Sequence, residues 1–365
     1  MIRFLACVAL LFPAAFLTAA EPPPTISGPF THANLSVFLL HGKDLLPPGQ
    51  KLLTLQEALE QKKLIVNETS NVNQLSVENV ASDCNVFIQA GDIVKGGRQD
   101  RLMAVDMIVP PKSGLLPIAS FCCESGRWSQ RGGEDASKFG TSVAQAANKD
   151  VKLALNAARS QSTVWEKVKE AQMKLSMNVG KPVANAASPS SYQLTLEDKN
   201  LLAKVDAYVS ALKKAPDEKN DTVGFVIVIN GKVQGAEQYG SHELFVKLWP
   251  KLIHAAAVDA LAEFDAKKKF DAATAKSVET FLADASKGES KEIVAGRIAQ
   301  ANTADRQAAN SAGGRQSGSQ APARPAVDAK PNPAKVTSVD NKTAVMLEAK
   351  DRANGKLLHR SYIAK

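Results

Sequence analysis

The stretch that organises this chain is 84-CNVFIQAGDIVKGGRQDRLMAVDMIVPPKSGLLPIASFCCESGRW-128. It alternates apolar runs with Gly-rich, charge-dense turns, a pattern typical of strands joined by loops. We predict strands over Asn85–Gln89, Leu102–Val109 and Ile118–Cys123. Strands at this spacing, separated by Gly and Pro turns, favour a β-sandwich or half-barrel.

Further elements extend this core in both directions. Leu35–His41 reads as a buried strand, and Thr54–Gln61 as a short amphipathic helix with a capping box between Thr54 and Glu57. After the central stretch, Ala-, Lys- and Gln-rich sequence predicts helices over 142–179, with a break near 160–162. A helix over 195–214, capped by Thr195, follows.

The second half of the chain contains the clearest turn signal. The run VGFVIVI precedes Asn230-Gly231, which tolerates positive φ at both turn positions and predicts a type I′ hairpin over 222–235. A helix capped by Ser241 follows, and Pro250 inside it should kink or split it. Another helix is predicted over Asp271–Ala285.

Two late runs, Thr343–Glu348 and Lys356–Ile363, read as strands of a hairpin. Because an isolated two-stranded hairpin is marginally stable in water, this one needs a sheet to join. The sequence therefore predicts an α+β fold: a β-sandwich-like or mixed-sheet core, a flanking helical layer, and a C-terminal hairpin that returns to the sheet.

The predicted domain organisation has four parts. Residues 1–20 form a signal peptide, and residues 21–299 form the main α+β ligand-binding-like domain. Residues 300–336 are a disordered low-complexity insertion, since they contain almost no large apolar side chain. Residues 337–365 form the hairpin that completes the main domain.

The start of the chain has the pattern of a cleaved export signal. Arg3 precedes an apolar run from Phe4 to Leu17, and Thr18 and Ala20 suit cleavage before Glu21. The run is shorter than the ~20 residues of a membrane-spanning helix, which makes a membrane anchor the less favoured alternative. We expect a periplasmic or extracellular protein with no stable membrane insertion after cleavage.

Composition limits the classes of partner. Lys and Arg number 45 against 37 acidic residues, a net charge of +8 that is mild for 365 residues. Aromatic residues make up 5% of the chain, so stacking platforms for nucleic acid are scarce and no nucleic-acid partner is expected. The expected partner is a small-molecule ligand, and the pattern indicates no particular oligomeric state.

Three cysteines remain after the predicted cleavage. In an oxidising compartment, a disulfide from Cys84 to Cys122 or Cys123 is one interpretation. Three buried reduced thiols are the alternative, since free Cys packs well as a small hydrophobe. No C-x-x-C spacing occurs and His is sparse, so no metal site is predicted.

The central stretch also supplies the candidate binding site. Its cations suit an anionic or polyhydroxyl ligand, its glycines would allow close backbone approach, and its carboxylates could orient the cations or bind hydroxyls. Trp128 could stack on a flat or sugar-like face. The alternative is that Arg101 with Asp100, and Arg127 with Glu124, form structural ion pairs at strand ends. The predicted ligand-binding residues are Asp92, Lys95, Gly96, Gly97, Arg98, Gln99, Asp100, Arg101, Glu124, Arg127 and Trp128.

The motifs of familiar enzymes are incomplete in this sequence. The glycine spacing from Gly91 to Gly97 lacks the Lys-Ser/Thr of a P-loop, and His242-Glu243 lacks a second His four residues on. We therefore predict a non-catalytic domain with no cofactor. The alternative is a hydrolase acting on a sugar- or nucleotide-like substrate with two carboxylates drawn from Asp92, Asp100, Asp106 and Glu124.

Four stretches resemble one family. They are GDIVKGGRQDR at 91–101, CESGRW at 123–128, GSHELFVKLWPKL at 240–252 and LHRSY at 358–362. Together they are similar to the bacterial domain family named for its association with ARG and rhodanese-phosphatase-superfamily proteins. The resemblance implies that both ends of the chain belong to one domain, and that this domain binds a ligand. It implies no particular reaction.

Overall fold

The computed structural model describes residues 22–145, 148–218, 220–293 and 332–365. The predicted signal peptide at 1–20, and residues 300–331 of the predicted insertion, lie outside these ranges. The described residues have the predicted α+β fold, in which helices flank three sheets.

The strands are β1 (Thr25–His32), β2 (Leu35–His41), β3 (Leu52–Thr54), β4 (Leu64–Asn71), β5 (Gln74–Asn79), β6 (Asn85–Ile88), β7 (Asp92–Gly96), β8 (Arg101–Met103), β9 (Met107–Val109), β10 (Leu116–Cys122), β11 (Phe139–Gln145), β12 (Thr222–Ile229), β13 (Lys232–Tyr239), β14 (Lys291–Glu292), β15 (Ala334–Asp340), β16 (Ala344–Asp351) and β17 (Leu357–Ala364).

The helices are α1 (Leu55–Glu60), α2 (Lys149–Leu153), α3 (Gln161–Val179), α4 (Tyr192–Leu196), α5 (Lys199–Leu212), α6 (His242–Ala262) and α7 (Ala275–Ala285). A π-helical turn over Ala154–Ala158 follows α2, and a 3₁₀ turn over Ala215–Glu218 follows α5.

The largest sheet has eight antiparallel strands in the order β1-β2-β12-β13-β17-β16-β15-β14. Asn230 and Gly231 join β12 to β13 with φ of 52° and 73°, so the predicted turn with two left-handed residues is confirmed. The C-terminal hairpin β16–β17 joins this sheet through the pairing of β17 with β13, as predicted.

Two smaller sheets carry the central stretch. One has the order β11-β7-β8-β10-β5-β4, and the other has the order β3-β6-β9 with β3 and β6 parallel. Helix α6 is buried along most of its length and packs against α5 and β12. The helix continues through Pro250 and is not split there. Its buried side chains, such as Phe245 and Leu252, join one large hydrophobic cluster with residues of all three sheets.

Local capping residues define several helix ends. Thr54 and Glu57 form the predicted capping box of α1. The predicted break near residue 160 is present, with Ser160 as the N-cap of α3. The helix predicted from Thr195 begins later, because Asp198 accepts the first backbone N–H groups of α5, while Thr195 lies in the short helix α4.

The predicted strand Leu102–Val109 is wrong as a single element. It divides into β8 and β9, which belong to different sheets. The break lies at residues 104–106, where the Asp106 carboxylate accepts the Ala90 N–H at 2.7 Å and contacts His359 Nδ1 at 2.8 Å. Two other boundaries differ. Strand β11 covers residues predicted as helical, and β15 begins at Ala334, within the segment predicted to be disordered.

The three cysteines do not form the predicted disulfide. Cys84, Cys122 and Cys123 are all buried and unbridged in the described part of the chain. Cys84 precedes β6 of the three-stranded sheet, whereas Cys122 ends β10 of the six-stranded sheet, where its Sγ accepts a hydrogen bond from Arg101 Nη1 at 2.9 Å. The arrangement with buried thiols is therefore the one observed.

Candidate functional site

Five of the predicted site residues belong to two buried clusters. The first, which we call the arginine cluster, consists of Glu68, Asp100, Arg101, Glu124, Arg127 and Arg131. The second, the central polar network, consists of Gln89, Asp92, Asp106, Lys152, Glu237, Tyr239, Lys251 and His359. Asp92 therefore lies apart from the other predicted ligand-binding residues.

Asp100 is the centre of the arginine cluster and is completely buried. Arg131 donates to both of its carboxylate oxygens at 2.9 Å, the bidentate geometry that favours Arg–carboxylate pairing. The Ser191 hydroxyl donates at 2.9 Å and the Gly96 N–H at 3.0 Å. Arg127 Nη2 lies 3.5 Å from Asp100 Oδ1. Residues of the six-stranded sheet and of the loop after β10 thus bind the same buried carboxylate.

Glu124 is the second buried carboxylate of the cluster. It accepts hydrogen bonds from Arg127 Nε at 2.7 Å, from the Asp100 N–H at 3.2 Å and from the Ser188 hydroxyl. Arg127 also donates to the carbonyl oxygens of Gly96 and Gly97, at 3.4 Å and 3.3 Å. The predicted pairing of Arg127 with Glu124 is therefore present, and it fixes the segment after β10 against the loop after β7.

Arg101 lies deepest in the cluster and is fully buried. Its Nη2 pairs with Glu68 at 3.4 Å, and its Nη1 donates to Gln99 Oε1 at 3.3 Å. Its guanidinium carbon lies 5.5 Å from the Trp128 ring centroid, within the range of a cation–π contact. Arg101 and Arg127 therefore lie on the same side of the domain, as the sequence-based hypothesis requires.

The glycines have a different role from the predicted one. Gly97 has φ of 54°, and a Cβ at this position would lie 2.2 Å from Cζ of Phe139. The space above the glycine is occupied by the Phe139 ring. Gly97 is thus required by side-chain packing as well as by its left-handed backbone.

Lys95 is also engaged within the protein. Its Nζ lies 2.7 Å and 2.9 Å from the two carboxylate oxygens of Glu197. Both side chains are partly exposed, so this pair contributes little to stability.

A shallow groove of about 440 Å³ lies over the arginine cluster, between residues 125–132 and residues 187–190. Ser125 and Ser190 tie its two walls together, because the Ser190 hydroxyl donates to the Ser125 carbonyl at 2.6 Å. Its lining is mostly small and polar: Ser125, Gly126, Arg127, Ser129, Gln130, Arg131, Gly132, Ala187, Ser188, Pro189 and Ser190. We call this the serine groove. A second cavity of similar volume is lined by residues that include Lys95, Glu134 and Lys138.

Sequence reasoning missed Arg131 and Glu68, which pair with Asp100 and Arg101. Arg131 lies in the hydrophilic segment SQRGGED, which reads as an exposed loop, yet the residue is buried. The one local signal for an ordered turn was Glu134, three residues further on. Arg131 donates a hydrogen bond to the carboxylate of Glu134 at 2.9 Å.

The central polar network lies between the sheets. His359 contacts Asp106 through Nδ1 at 2.8 Å and Glu237 through Nε2 at 2.9 Å, and Lys152 pairs with Glu237 at 2.7 Å. Separately, Lys251 of α6 pairs with Asp92 at 2.6 Å. Tyr239 stacks on the His359 ring, with centroids 4.8 Å apart, and donates to Gln89 Oε1 at 3.1 Å.

Charges in this network shift the pKa of their neighbours. Burial alone would lower the pKa of His359, but the Asp106 and Glu237 carboxylates outweigh burial and raise the pKa to about 9. Burial alone would raise the pKa of Glu237, but Lys152 and His359 lower the pKa to about 2. At neutral pH the network therefore holds an imidazolium between two carboxylates.

The described residues contain no group of three or more His, Cys, Asp or Glu side chains arranged to hold a metal ion. Within the same residues, no helix is both long and apolar enough to cross a membrane.

The family model of the ARG and Rhodanese-Phosphatase-superfamily-associated Protein domain, ARPP-1, matches residues 24–317. The chain belongs to the ARPP-1 family. The match includes three of the four stretches that carry the resemblance and ends before the fourth, at 358–362. Comparison with curated proteins and with solved structures gives no match.

In this ARPP-1 chain, the four stretches meet at the two clusters. The stretch 91–101 supplies Asp92 to the central polar network and Asp100 to the arginine cluster. The stretches 240–252 and 358–362 supply Lys251 and His359 to the network. The stretches that carry the family resemblance therefore supply side chains that form these two clusters.

Proposed function

We propose that this ARPP-1 domain is a non-catalytic binding domain for a small polyhydroxyl ligand, which is held in the serine groove. The observation that carries the proposal is the charge state of the groove floor. Arg127 and Arg131 present guanidinium groups that are already neutralised by Asp100, Glu124 and Glu134. Above this neutralised floor, the serine hydroxyls that line the groove offer hydrogen-bond donors and acceptors side by side, which matches the hydroxyl group.

An inorganic anion fits this floor less well. To bind it, Arg127 or Arg131 would have to leave a buried carboxylate, and an uncompensated buried charge costs several kcal/mol. Hydroxyls require no such exchange, because each can donate to and accept from the serine hydroxyls that line the groove, such as that of Ser125. The exposed Ser129 and Gln130 at the rim provide further partners of the same kind.

The same contacts weigh against the hydrolase alternative. Asp92 and Asp106 lie in the central polar network, away from Asp100 and Glu124. Asp100 and Glu124 are each engaged by guanidinium groups and hydroxyls of the protein itself. A general acid or base needs a free path to the proton it transfers, and these contacts occupy that path.

The test is isothermal titration of the purified chain without residues 1–20 against ribose, glucose, galactose, mannose and myo-inositol. Ala187→Phe places a ring in the groove, and the adjacent Ala186→Phe is the matched control, because both alanines are exposed and only Ala187 lines the groove. We expect binding of at least one sugar or cyclitol that Ala187→Phe weakens at least tenfold and Ala186→Phe leaves unchanged. Absence of binding by every member, or equal effects of the two variants, would refute the proposal.

We also propose that the domain acts after export. The Phe4–Leu17 run and the small residues before Glu21 support this. Mass spectrometry of the protein from its native host should give a chain that begins at Glu21. Retention of Met1 in the mature species would contradict it.

A further inference from the structure

One cation of the candidate site differs from the others in its partners. Arg101, Arg127 and Arg131 each pair with a carboxylate, and Lys95 pairs with Glu197. The Arg98 guanidinium has no ion pair or hydrogen bond to the described part of the chain. The guanidinium carbon lies 5.5 Å from the centroid of the Trp128 ring, within the range of a cation–π contact. The charge is therefore uncompensated at close range.

The position of Arg98 is fixed by the surrounding backbone. Gly97, the residue before Arg98, has a left-handed backbone conformation and lies against the Phe139 ring. The Arg98 N–H points to Glu68 Oε2 at 3.5 Å. The half-buried side chain then rests against Trp128. Because no hydrogen bond joins this guanidinium to the described residues, its N–H groups are available to bind carboxylate or phosphate in two hydrogen bonds.

Arg98 lies next to residues of the serine groove without lining it. Trp128, whose ring it contacts, lies in sequence between the groove residues Arg127 and Ser129. The carbonyl of Gly97, next to Arg98, accepts a hydrogen bond from the groove residue Arg127 at 3.3 Å. A ligand in the groove that extends past Trp128 would therefore approach the Arg98 guanidinium.

We propose that Arg98 binds a single oxyanion on the ligand, so that the ligand class is a sugar acid or sugar phosphate. This inference rests on the proposed function. The two parts of the site differ in charge. The groove above the neutralised floor binds the hydroxyl groups of the ligand, whereas the uncompensated Arg98 guanidinium binds its one negative charge. Specificity for the anionic sugar comes from Arg98, and Trp128 acts as the positioning residue that the guanidinium lies against.

The experiment compares matched neutral and anionic probes by isothermal titration. The probes are glucose, glucuronate and glucose 6-phosphate, together with ribose and ribose 5-phosphate. For the unsubstituted chain we expect at least one anionic probe to bind about tenfold or more tightly than its neutral parent. The carboxylate and phosphate arms identify which oxyanion is preferred.

Two variants assign this preference to a residue. Arg98→Gln should reduce the preference to twofold or less while leaving the affinity for the neutral parent within twofold. Lys138→Gln is the control, because Lys138 is an exposed cation beside the second cavity and should leave the preference intact. Circular dichroism melting of each variant verifies the fold, which the half-buried Arg98 side chain should not affect.

The outcomes separate the two proposals. If neutral sugars bind in the groove but the anionic forms bind no better, or if Arg98→Gln keeps the preference, the role of Arg98 is refuted and the proposed function stands. If no probe binds, or if Ala187→Phe leaves all binding unchanged, the proposed function itself fails. Anionic probes that bind only through Arg98 and are blocked by Ala187→Phe support both.

Discussion

Asp100→Asn is the most direct test of the arginine cluster, because it keeps the shape of the side chain and removes its charge. Asp100 accepts two hydrogen bonds from Arg131, one from Ser191 and one from the Gly96 N–H. An asparagine accepts through only one of its two terminal atoms, so its amide nitrogen would face a donor. Arg131 would then lose half of its bidentate contact.

The magnitude follows from the partners that remain. Breaking a buried ion pair from one side costs about 3–5 kcal/mol. Arg131 retains Glu134 at 2.9 Å and has Glu124 at 3.6 Å, so part of its charge stays compensated. We therefore expect the lower end of that range, a loss of about 3 kcal/mol in the free energy of unfolding.

Urea unfolding of the chain without residues 1–20, followed by circular dichroism, measures this loss. Asp135→Asn is the matched control, because Asp135 lies on the loop that carries Arg131, is exposed, and accepts hydrogen bonds from the N–H and the hydroxyl of Ser137. Because Asp135 is exposed to solvent, the control should leave the free energy of unfolding close to that of the unsubstituted chain. If Asp100→Asn cost no more than Asp135→Asn, the cluster would not be the structural centre described above.

Three further predictions concern other elements. The folded-state pKa of His359, about 9, exceeds the ordinary value of 6.5, so its stabilisation is complete below pH 6.5 and lost as the pH rises through 9. His359→Gln should flatten this part of the curve of urea midpoint against pH, and an unchanged slope would contradict the assigned pKa. Asp198→Ala should cost ~1 kcal/mol in urea unfolding as loss of the α5 N-cap. A cost near zero would contradict Asp198 as the N-cap and favour Thr195, the cap predicted from the sequence. Gly97→Ala should cost about 2–3 kcal/mol, since the new methyl meets the Phe139 ring, whereas Gly133→Ala, with open space around it, should cost less than ~1 kcal/mol. Equal costs would contradict the packing explanation.

Features set by neighbouring residues could be predicted from the sequence. The capping box of Thr54 and Glu57 and the turn at Asn230-Gly231 each depend on a few adjacent side chains and on backbone preference. The return of the C-terminal hairpin to the sheet followed from the instability of a lone hairpin.

Features set by distant partners could not be predicted in the same way. Asp106 separates β8 from β9 because it binds His359, which lies 253 residues further along the chain. Arg131 lies in a loop of hydrophilic sequence, yet it is buried because it pairs with the buried carboxylates of Asp100 and Glu124. The sequence thus indicated the segment that forms the arginine cluster, but two ion-pair partners in the cluster, Glu68 and Arg131, and the separate environment of Asp92 required three-dimensional information.

The position of β17 has a consequence for synthesis of the chain. In the described residues, β17 alone joins strands β1, β2, β12 and β13 to strands β16, β15 and β14. Its pairing of His359 with Tyr239 spans 359 − 239 = 120 residues, a long-range contact of the kind that forms slowly. Until residues 357–364 have left the ribosome, β13 presents an unpaired edge to solvent. The growing chain is therefore most exposed to aggregation during the interval between the synthesis of β13 and that of β17.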